Sequence, residues 1–314
     1  MPTILTLTMN PALDIATSTD RVTDTHKLRC GPAVLHPGGG GINVARVVHR
    51  LGGDCQALFP AGGVTGQRLV ELLAAEKVPG YAVAIAGETR ESFSVFEASS
   101  GRDYRFVLPG PTLSESEWRA CLAQLQAHLA QGQVRYLVVS GSLSPGVPVD
   151  FCAQLADVAR HHGSRLVLDT SGAPLAAALA KGVYLVKPSL RELRDLARLP
   201  LATEAEWLAA ARQLVISHQA EVVALSLGED GAMLVTADRT LRAKGIAVKV
   251  ASSIGAGDSF LGGLIWSLSR TADLEKAFRY AMAAGAAALL SAGTALCQPA
   301  DVERFCKDVT ITPV

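Results

Sequence analysis

The chain has 314 residues, and its 29 Lys and Arg residues balance 29 Asp and Glu residues, so the formal net charge is zero. Charged residues make up only 18% of the chain. This argues against a nucleic-acid partner, because proteins that bind nucleic acids normally carry a basic excess. Hydrophobic residues make up 49%, enough for a sizeable core, and the length fits one large α/β unit with an appendage.

The first residues are expected to enter the fold directly. A short apolar run (ILTLT, 4–8) has no basic segment before it and is soon followed by polar residues, which is typical of a first strand rather than of a signal peptide. The most apolar helical stretch, 281–290, is far shorter than the roughly 18 residues that a membrane span needs. Six widely spaced cysteines without a CxxC pair indicate neither a zinc site nor a disulfide framework. We therefore expect a soluble, cytoplasmic protein with no membrane partner.

A glycine run precedes the first helical pattern. Residues 38–41 are all glycine, and 42–53 (INVARVVHRLGG) has apolar residues at helical spacing and a closing glycine pair. Glycine lets the backbone approach a ligand, and a helix N-terminus offers N–H groups to an oxygen-rich group. A dinucleotide fingerprint would need glycine at its sixth position, where Asn43 stands. An NAD-type site is therefore not expected, and a structural turn remains an alternative to a ligand loop.

Two β-rich runs follow in the N-terminal half. They are 90–98 (RESFSVFEA) and 103–110 (DYRFVLPG), and the intervening SSGR is a hairpin signal. With the segment 15–35 they are expected to form a small sheet that stands off the main body. This small sheet would form a lid that comprises about 15–35 and 90–108 of a single domain spanning 1–314.

From residue 134 the chain alternates apolar strands with helical segments. The strand runs lie at 134–140 (VRYLVVS), 165–169 (RLVLD), 183–187 (VYLVK) and 222–227 (VVALSL). Continuous apolar runs of this kind are typical of a parallel sheet that is covered by helices on both faces. The predicted class is therefore α/β, with a mainly parallel central sheet.

Two more glycine turns lie in the C-terminal half of the chain. Residues 226–232 (SLGEDGA) are predicted to form a hairpin turn, and 253–259 (SIGAGDS) precedes a helical pattern. The Gly-Ala-Gly turn would direct several N–H groups at one point as an anion hole, with Asp258 in the first helical turn. A carboxylate base beside an anion hole is what phosphoryl transfer to a hydroxyl needs, although aspartate is also common there as a simple helix cap. Three glycine loops at strand ends favour a phosphate-bearing ligand.

These segments carry a resemblance that spans essentially the whole chain. GGGGINVA at 38–45 and GAGD at 255–258, supported by SLG at 226–228 and by Lys187-Pro188, resemble the signatures of the ribokinase-like, PfkB-type family of ATP-dependent sugar kinases. The 6-phosphofructokinase branch is the most similar, through NPALD (10–14), KLRC (27–30), YRFV (104–107) and Gly40, where 1-phosphofructokinases and tagatose-6-phosphate kinases usually have lysine. The resemblance implies a ribokinase-like three-layer sandwich with a small β-sheet lid.

The resemblance also implies roles in the sugar site. The base for the sugar C1 hydroxyl and its anion hole would be Asp258, Gly255, Ala256 and Gly257. The residues that hold sugar hydroxyls or lie beside the sugar would be Asp14, Gly39, Asn43 and Ser140. The 6-phosphate would be bound by Arg90, Arg105 and, from a partner subunit, Lys27, because basic side chains pair well with phosphate.

Further positions match the family's nucleotide and cation sites. The residues near ATP would be Lys187, Ser189, Ser226, Gly228 and Gly231. The NxxE motif associated with Mg²⁺ stands here as SLRE at 189–192, so Glu192 is retained while serine replaces asparagine. The residues of a K⁺ site would be Ser252, Ile254, Ala288, Ser291, Gly293 and Cys297. Most of these ligands are backbone carbonyls in the family, so K⁺ binding can survive serine at position 252, where an aspartate is frequent.

The resemblance thus implies a glycolytic enzyme that transfers the γ-phosphoryl of MgATP to the C1 hydroxyl of fructose 6-phosphate. A homodimer paired through the lid sheets is expected, because an exposed sheet needs covering. Tagatose-6-phosphate kinase and 1-phosphofructokinase activities are alternatives, since no residue here decides between sugar epimers. A non-catalytic sugar-phosphate sensor is disfavoured because Asp258 and Glu192 are both present.

Overall fold

The computed structural model describes residues 3–24 and 26–314. Within these residues, ten strands form a central sheet. From one edge to the other they are β5 (Gly80–Ala84), β4 (Cys55–Ala61), β1 (Ile4–Leu7), β8 (Tyr136–Ser140), β9 (Arg165–Asp169), β10 (Val183–Val186), β11 (Ala220–Ser226), β12 (Ala232–Val235), β13 (Thr240–Ala243) and β14 (Ile311–Pro313). Neighbours from β5 through β11 pair in parallel, whereas the pairs from β11 to β14 are antiparallel.

Helices cover both faces of this sheet. On one face lie α1 (Gly40–Arg50), α2 (Gly63–Ala75), α8 (Ala256–Arg270), α9 (Leu274–Ala288) and α10 (Pro299–Cys306). On the other lie α3 (Glu115–Leu129), α4 (Phe151–His161), α5 (Gly172–Leu179), α6 (Leu190–Ala197) and α7 (Glu204–Ile216). Each central strand supplies alternate residues to two cores, as Val138 and Val139 of β8 do. The predicted three-layer α/β sandwich is confirmed.

The strand bounds differ slightly from the apolar runs that predicted them. The run 165–169 coincides with β9, but β8 begins at Tyr136 rather than at 134, and β11 begins at Ala220 rather than at 222. Ala220 joins β11 because it pairs with Val183 of β10. Backbone pairing therefore sets these ends, and hydrophobicity marks only the buried middle. None of the helices in the described ranges is both long and apolar enough to cross a membrane.

A separate sheet of four strands lies beside the central sheet. Its order is β3 (Val34–Gly38), β2 (Ala12–Thr19), β6 (Arg90–Glu97) and β7 (Arg102–Val107). The β6–β7 pair is the hairpin expected from its SSGR turn, and β2 pairs in parallel with β6 over eight residues. Because β2 follows β1 closely and β3 leads into α1, the small sheet is attached at the carboxyl end of β1. The small sheet that the resemblance implied is therefore present.

The strand order creates a crevice at this edge of the central sheet. Along the chain, strands are added on one side of β1 as β4 and β5, and later on its other side from β8 onward. Ligands of open α/β sheets bind beyond the carboxyl ends of strands at such a switch point. Three polar residues lie at these ends, namely Ser140 in β8, Asp169 in β9 and Lys187 after β10. The fold thus directs polar side chains to the region below the small sheet.

Candidate active site

A polar cleft of about 260 Å³ lies between the strand ends and the small sheet. The sequence-predicted residues that line it are Asp14, Gly39, Asn43, Arg90, Arg105, Ser140, Glu192 and Asp258. They come from both sheets and from the first turns of three helices, α1, α6 and α8. The cleft therefore collects side chains from most of the length of the chain.

The turn at the start of α8 requires glycine. Gly255 has φ 77°, a left-handed conformation that other residues adopt only with strain, and a Cβ there would lie 2.5 Å from Leu296 Cδ2. Ala256 and Gly257 line a second cavity, whereas Asp258 lines the polar cleft. The Gly-Ala-Gly turn therefore lies between two cavities, with its helical N–H groups at the junction.

The Asp258 carboxylate is held by an asparagine from α1. Nδ2 of Asn43 donates to Oδ2 of Asp258 over 2.9 Å. Burial raises the pKa of Asp258, while this hydrogen bond and the nearby charges of Lys187 and Arg105 oppose the rise. The net effect is a pKa above the ordinary carboxyl value, so Asp258 is a stronger proton acceptor than an exposed aspartate.

The small sheet contributes an acid and two arginines. Asp14 of β2 is buried, and its Oδ2 has no hydrogen-bond partner among the described residues. Burial raises the pKa of Asp14, and Arg105 opposes that rise most strongly among the nearby charges. Arg90 donates to the backbone carbonyls of Asn10 (3.0 Å) and Leu108 (3.2 Å), which ties the sheet to the end of β1. The unpaired carboxylate oxygen is suited to accept from a ligand hydroxyl.

Asp169 is a site residue that sequence reasoning missed. Its Oδ1 forms an ion pair with Lys187 Nζ at 3.0 Å, and Oγ of Ser140 donates to its Oδ2 over 3.2 Å. Burial raises the pKa of Asp169 to about 6, despite the neighbouring Lys187 charge. Burial alone would lower the pKa of Lys187, but the carboxylates around it, Asp169 first, raise it. The sequence did offer a signal for Asp169, because it is an acidic residue at the end of a predicted parallel strand. Ser92 and Ser142 also line the cleft, but no sequence pattern marked them as site residues.

The second cavity, of about 790 Å³, has mainly apolar walls. Three of the five predicted nucleotide residues line it, namely Ser226, Gly228 and Gly231. Its apolar lining includes Val248, Phe260, Met282, Ala286 and Leu289. The volume is typical of a cavity for a drug-sized ligand. An apolar slot that reaches the Gly-Ala-Gly turn is suited to a planar ligand group such as a nucleotide base.

The other two predicted nucleotide residues lie outside that lining. Nζ of Lys187 is 3.6 Å from the point where a Cβ on Gly257 would stand, so Lys187 lies beneath the glycine turn. Ser189 caps α6: its Oγ accepts from the Glu192 N–H over 3.3 Å, and Glu192 Oε2 accepts from both the N–H and the Oγ of Ser189. Serine thus serves as a helix cap at the position where the family usually has asparagine.

Glu192 lines the polar cleft together with Asp258. Among residues 3–24 and 26–314, no group of three or more His, Cys, Asp or Glu side chains could hold a metal ion. Mg²⁺ in phosphoryl-transfer sites is commonly held by one or two carboxylates, substrate phosphates and water. The Glu192 carboxylate, which lines the cleft, fits that kind of indirect Mg²⁺ binding.

The six residues matched to a K⁺ site lie in two adjoining segments, 252–254 and 288–297. The segments meet where the N–H of Ala251 donates to the Leu289 carbonyl over 2.7 Å. Ser252 Oγ accepts from the Ile254 N–H, and Ser291 Oγ donates to the Leu296 carbonyl. The two segments that contain the six matched residues therefore adjoin in the fold.

Lys27 is the one predicted sugar-site residue that lies apart. It is exposed in the segment between β2 and β3 and does not line the cleft of its own chain. Its contribution to the site from a partner subunit stays a prediction.

The fold and the two adjoining cavities are those of a carbohydrate kinase. The family described as "pfkB family carbohydrate kinase" matches residues 7–301, and the chain belongs to this family. The resemblance carried by the glycine segments is confirmed.

Particular members of the family are similar over nearly the whole chain. ATP-dependent 6-phosphofructokinase isozyme 2 of Mycobacterium tuberculosis is 49% identical, covering 97% of this chain and 89% of that protein. The Escherichia coli protein of the same name is 43% identical, covering 97% and 98%. The crystal structure of Escherichia coli phosphofructokinase-2 in complex with fructose-6-phosphate matches with a TM-score of 0.90 at 41% identity. The structure of the same protein in complex with potassium matches with a TM-score of 0.91 at 42% identity. Each match covers 98% of this chain and 99% of the solved chain. A 1-phosphofructokinase of Bacillus subtilis is 31% identical, covering 92% and 93%.

Proposed function

We propose that this protein transfers the γ-phosphoryl group of MgATP to the C1 hydroxyl of fructose 6-phosphate, giving fructose 1,6-bisphosphate and ADP. The observation that carries the proposal is the position of Asp258, bonded to Asn43, where the polar cleft meets the apolar cavity. A base at that junction lies between a sugar hydroxyl on one side and a nucleotide phosphate on the other. The raised pKa of Asp258 suits it to accept the hydroxyl proton.

The cleft supplies the remaining groups for the sugar phosphate. Asp14 and Asn43 hold sugar hydroxyls, Gly39 lets the backbone approach the sugar, and Ser140 lies beside it. Arg90 and Arg105, at the small-sheet side of the cleft, bind the 6-phosphate, because guanidinium pairs with phosphate oxygens. The N–H groups of Gly255, Ala256 and Gly257 stabilise the charge that develops on the transferred group.

The nucleotide occupies the apolar cavity, with Ser226, Gly228 and Gly231 along it. Lys187, beneath the glycine turn, and Ser189, at the start of α6, lie toward the phosphates. Glu192 would hold Mg²⁺ through water beside those phosphates, and the ion would supply neutralisation of the developing charge. The 252–254 and 288–297 segments would hold K⁺ beside the start of α8, mainly through backbone carbonyls; the Escherichia coli relative has been crystallised in complex with potassium.

The choice of sugar rests on the similarity and on Gly40. The two relatives at 49% and 43% identity are named 6-phosphofructokinases, whereas the 1-phosphofructokinase is only 31% identical. A Cβ on Gly40 would lie 2.8 Å from the backbone carbon of Ser140, so a lysine there would reshape this wall of the cleft. Comparison of kcat/KM for fructose 6-phosphate, fructose 1-phosphate and tagatose 6-phosphate tests the assignment. A higher kcat/KM for either alternative sugar would contradict it.

We further propose that two chains pair through the outer face of the small sheet. Arg105 faces the cleft, so its neighbours in the chain point to the opposite face. Four apolar residues in register cross that face, one from each strand: Leu35, Ile15, Phe93 and Phe106. A second copy of the chain would cover this row and bring its Lys27 toward the cleft of its partner.

Asp258→Asn tests the catalytic role. Asparagine preserves the shape of the side chain, and its side-chain oxygen can still accept the bond from Asn43, but it cannot take a proton. We therefore expect kcat to fall by about 10²- to 10⁴-fold with an unchanged melting temperature. A matched control is Asp54→Asn, an acid in the turn before β4 that does not line either cavity. Near-normal turnover of the Asp258 variant would overturn the mechanism.

A further inference from the structure

Arg46 lies in the core of the protein although it carries a full charge. It belongs to α1, three residues after Asn43, and its side chain is 0% exposed. A buried guanidinium is unfavourable unless its N–H groups have partners. An apolar residue at this position of α1 would fill the core without that difficulty. The partners of Arg46 therefore indicate what the charge is for.

The donors of Arg46 connect four separate segments. Nε and Nη2 bond to the carboxylate of Glu76 at the end of α2, at 2.6 to 3.1 Å. Nη1 donates to the carbonyls of Pro37 and Thr294, both at 3.0 Å, and to Oδ1 of Asn43 at 3.2 Å. Pro37 immediately precedes the glycine run, and Thr294 lies in the loop after α9. Arg46 thus joins α2, the end of β3, the loop after α9 and the side chain of Asn43.

The contact with Asn43 fixes which way its amide points. Guanidinium only donates hydrogen bonds, so the Asn43 atom that faces Arg46 is the carbonyl oxygen. The amide nitrogen then faces Asp258 and donates to its Oδ2. In the flipped orientation, an N–H group would face the guanidinium and an oxygen would face the carboxylate, and both contacts would be repulsive.

We propose that Arg46 is a positioning residue for phosphoryl transfer, which holds the Asn43 amide so that the Asp258 carboxylate presents Oδ1 to the sugar hydroxyl. The inference rests on the proposed role of Asp258 as base. It adds a residue that lines neither cavity and that reaches Asp258 through Asn43. The relay from Arg46 to Asn43 to Asp258 runs between two helices, α1 and α8.

Arg50 provides a matched control. It bonds to the same Glu76 carboxylate at 2.9 Å and donates to the carbonyl of Ala295, the residue after Thr294. Arg50 therefore shares the ion pair and the loop with Arg46, but its hydrogen bonds do not include Asn43. If Arg46 acted only through the ion pair or the loop, substitution of Arg50 would also be expected to lower kcat.

A double-mutant cycle tests the relay. We expect Arg46→Met to lower kcat for fructose 6-phosphate by about 10- to 100-fold, the order expected for a misplaced catalytic group. In an Asn43→Ala background the same change should alter kcat by less than about threefold, because no amide remains to be oriented. Arg50→Met should also stay within about threefold of the parent. Melting temperatures of all variants report on folding separately.

If Arg46→Met does not fold, Arg46→Lys takes its place in the cycle, since an ammonium group on a flexible stem cannot bond Glu76, Asn43 and two carbonyls together. Equal losses of kcat in the two backgrounds, or an equal loss in Arg50→Met, would overturn the proposal. If Arg46→Met lowers kcat equally with and without Asn43 while Asp258→Asn is inactive, the relay is refuted and the proposed base stands. Full activity of Asp258→Asn refutes the proposed base, and the relay with it.

Discussion

Asn43 and Asp258 are joined by a hydrogen bond of 2.9 Å although 215 positions separate them in the chain. Their helices, α1 and α8, pack directly: a Cβ on Gly262 of α8 would lie 2.6 Å from Cγ1 of Val47 of α1. This close approach brings the first turns of both helices to one point. The bond favours the ionised carboxylate, while burial favours the protonated one. The balance between them sets the pH at which Asp258 can act as a base.

Turnover is expected to fall on the acidic side, with an apparent pKa above the ordinary aspartate value of 3.8. Asp258 must be ionised to accept a proton, and burial raises its pKa, so lowering the pH through that raised value removes the base. Asn43→Ala deletes a bond that lowers the pKa of Asp258, so its acidic limb should move to higher pH. The kcat–pH profiles of the two proteins check this.

Asn10→Ala is the control for that pH shift, because Asn10 Nδ2 bonds to Ser142 and not to Asp258. Its acidic limb should coincide with that of the unmodified protein. If the limb of Asn43→Ala also stayed in place, the bond to Asp258 would not influence the base.

Gly40→Ala should damage both stability and turnover. The added Cβ would lie 2.8 Å from the backbone carbon of Ser140 and 2.9 Å from the Gly141 nitrogen, so the wall of the cleft must move. We expect a loss of about 1–3 kcal/mol in the free energy of unfolding, as for other overpacked sites. Denaturant unfolding and KM for the sugar measure the two effects. Gly31→Ala, where the Cβ would meet Ser18 Oγ at an ordinary 3.5 Å, should be nearly neutral.

The pair Asp169–Lys187 should be sensitive to removal of one partner and less so to removal of both. Lys187→Met leaves a buried carboxylate without its counter-charge, which should lower the free energy of unfolding by about 3 kcal/mol. Asp169→Asn combined with Lys187→Met should recover much of that loss, because the buried ion pair is then replaced by two neutral side chains. Unfolding titrations at neutral pH compare the variants. A double variant less stable than Lys187→Met would argue against the buried-charge explanation.

Phe106→Glu should separate the proposed dimer. Phe106 is 57% exposed on the outer face of the small sheet, and a carboxylate there would be buried against the partner subunit. Sedimentation should show monomers, and turnover should fall because Lys27 no longer reaches a partner's cleft. Val64→Glu, at a residue 77% exposed on α2, is the control and should leave the assembly unchanged. A dimer of unaltered strength in the Phe106 variant would exclude this face.

Much of the fold could be predicted from short stretches of sequence. The run RLVLD coincides with β9 because a strand buried on both faces needs apolar residues along its length. Gly255 marked the start of α8 because its positive φ disfavours other residues. The hairpin of β6 and β7 followed from its turn residues. Each of these signals lies within a few neighbouring residues, so one sequence suffices to detect it.

The sequence by itself determined the α/β class, the glycine turns and the identity of Asp258 as a candidate base, because each depends on local backbone or helix-terminus physics. Only the tertiary structure decided that Asp169 pairs with Lys187 beside that base, and that Arg46 is buried, ion-paired with Glu76 and bonded to Asn43. Both facts depend on which strands and helices become neighbours. From the sequence alone, a single aspartate or arginine is indistinguishable from a surface charge. Its burial and its partner are defined only when the surrounding strands and helices have packed around it.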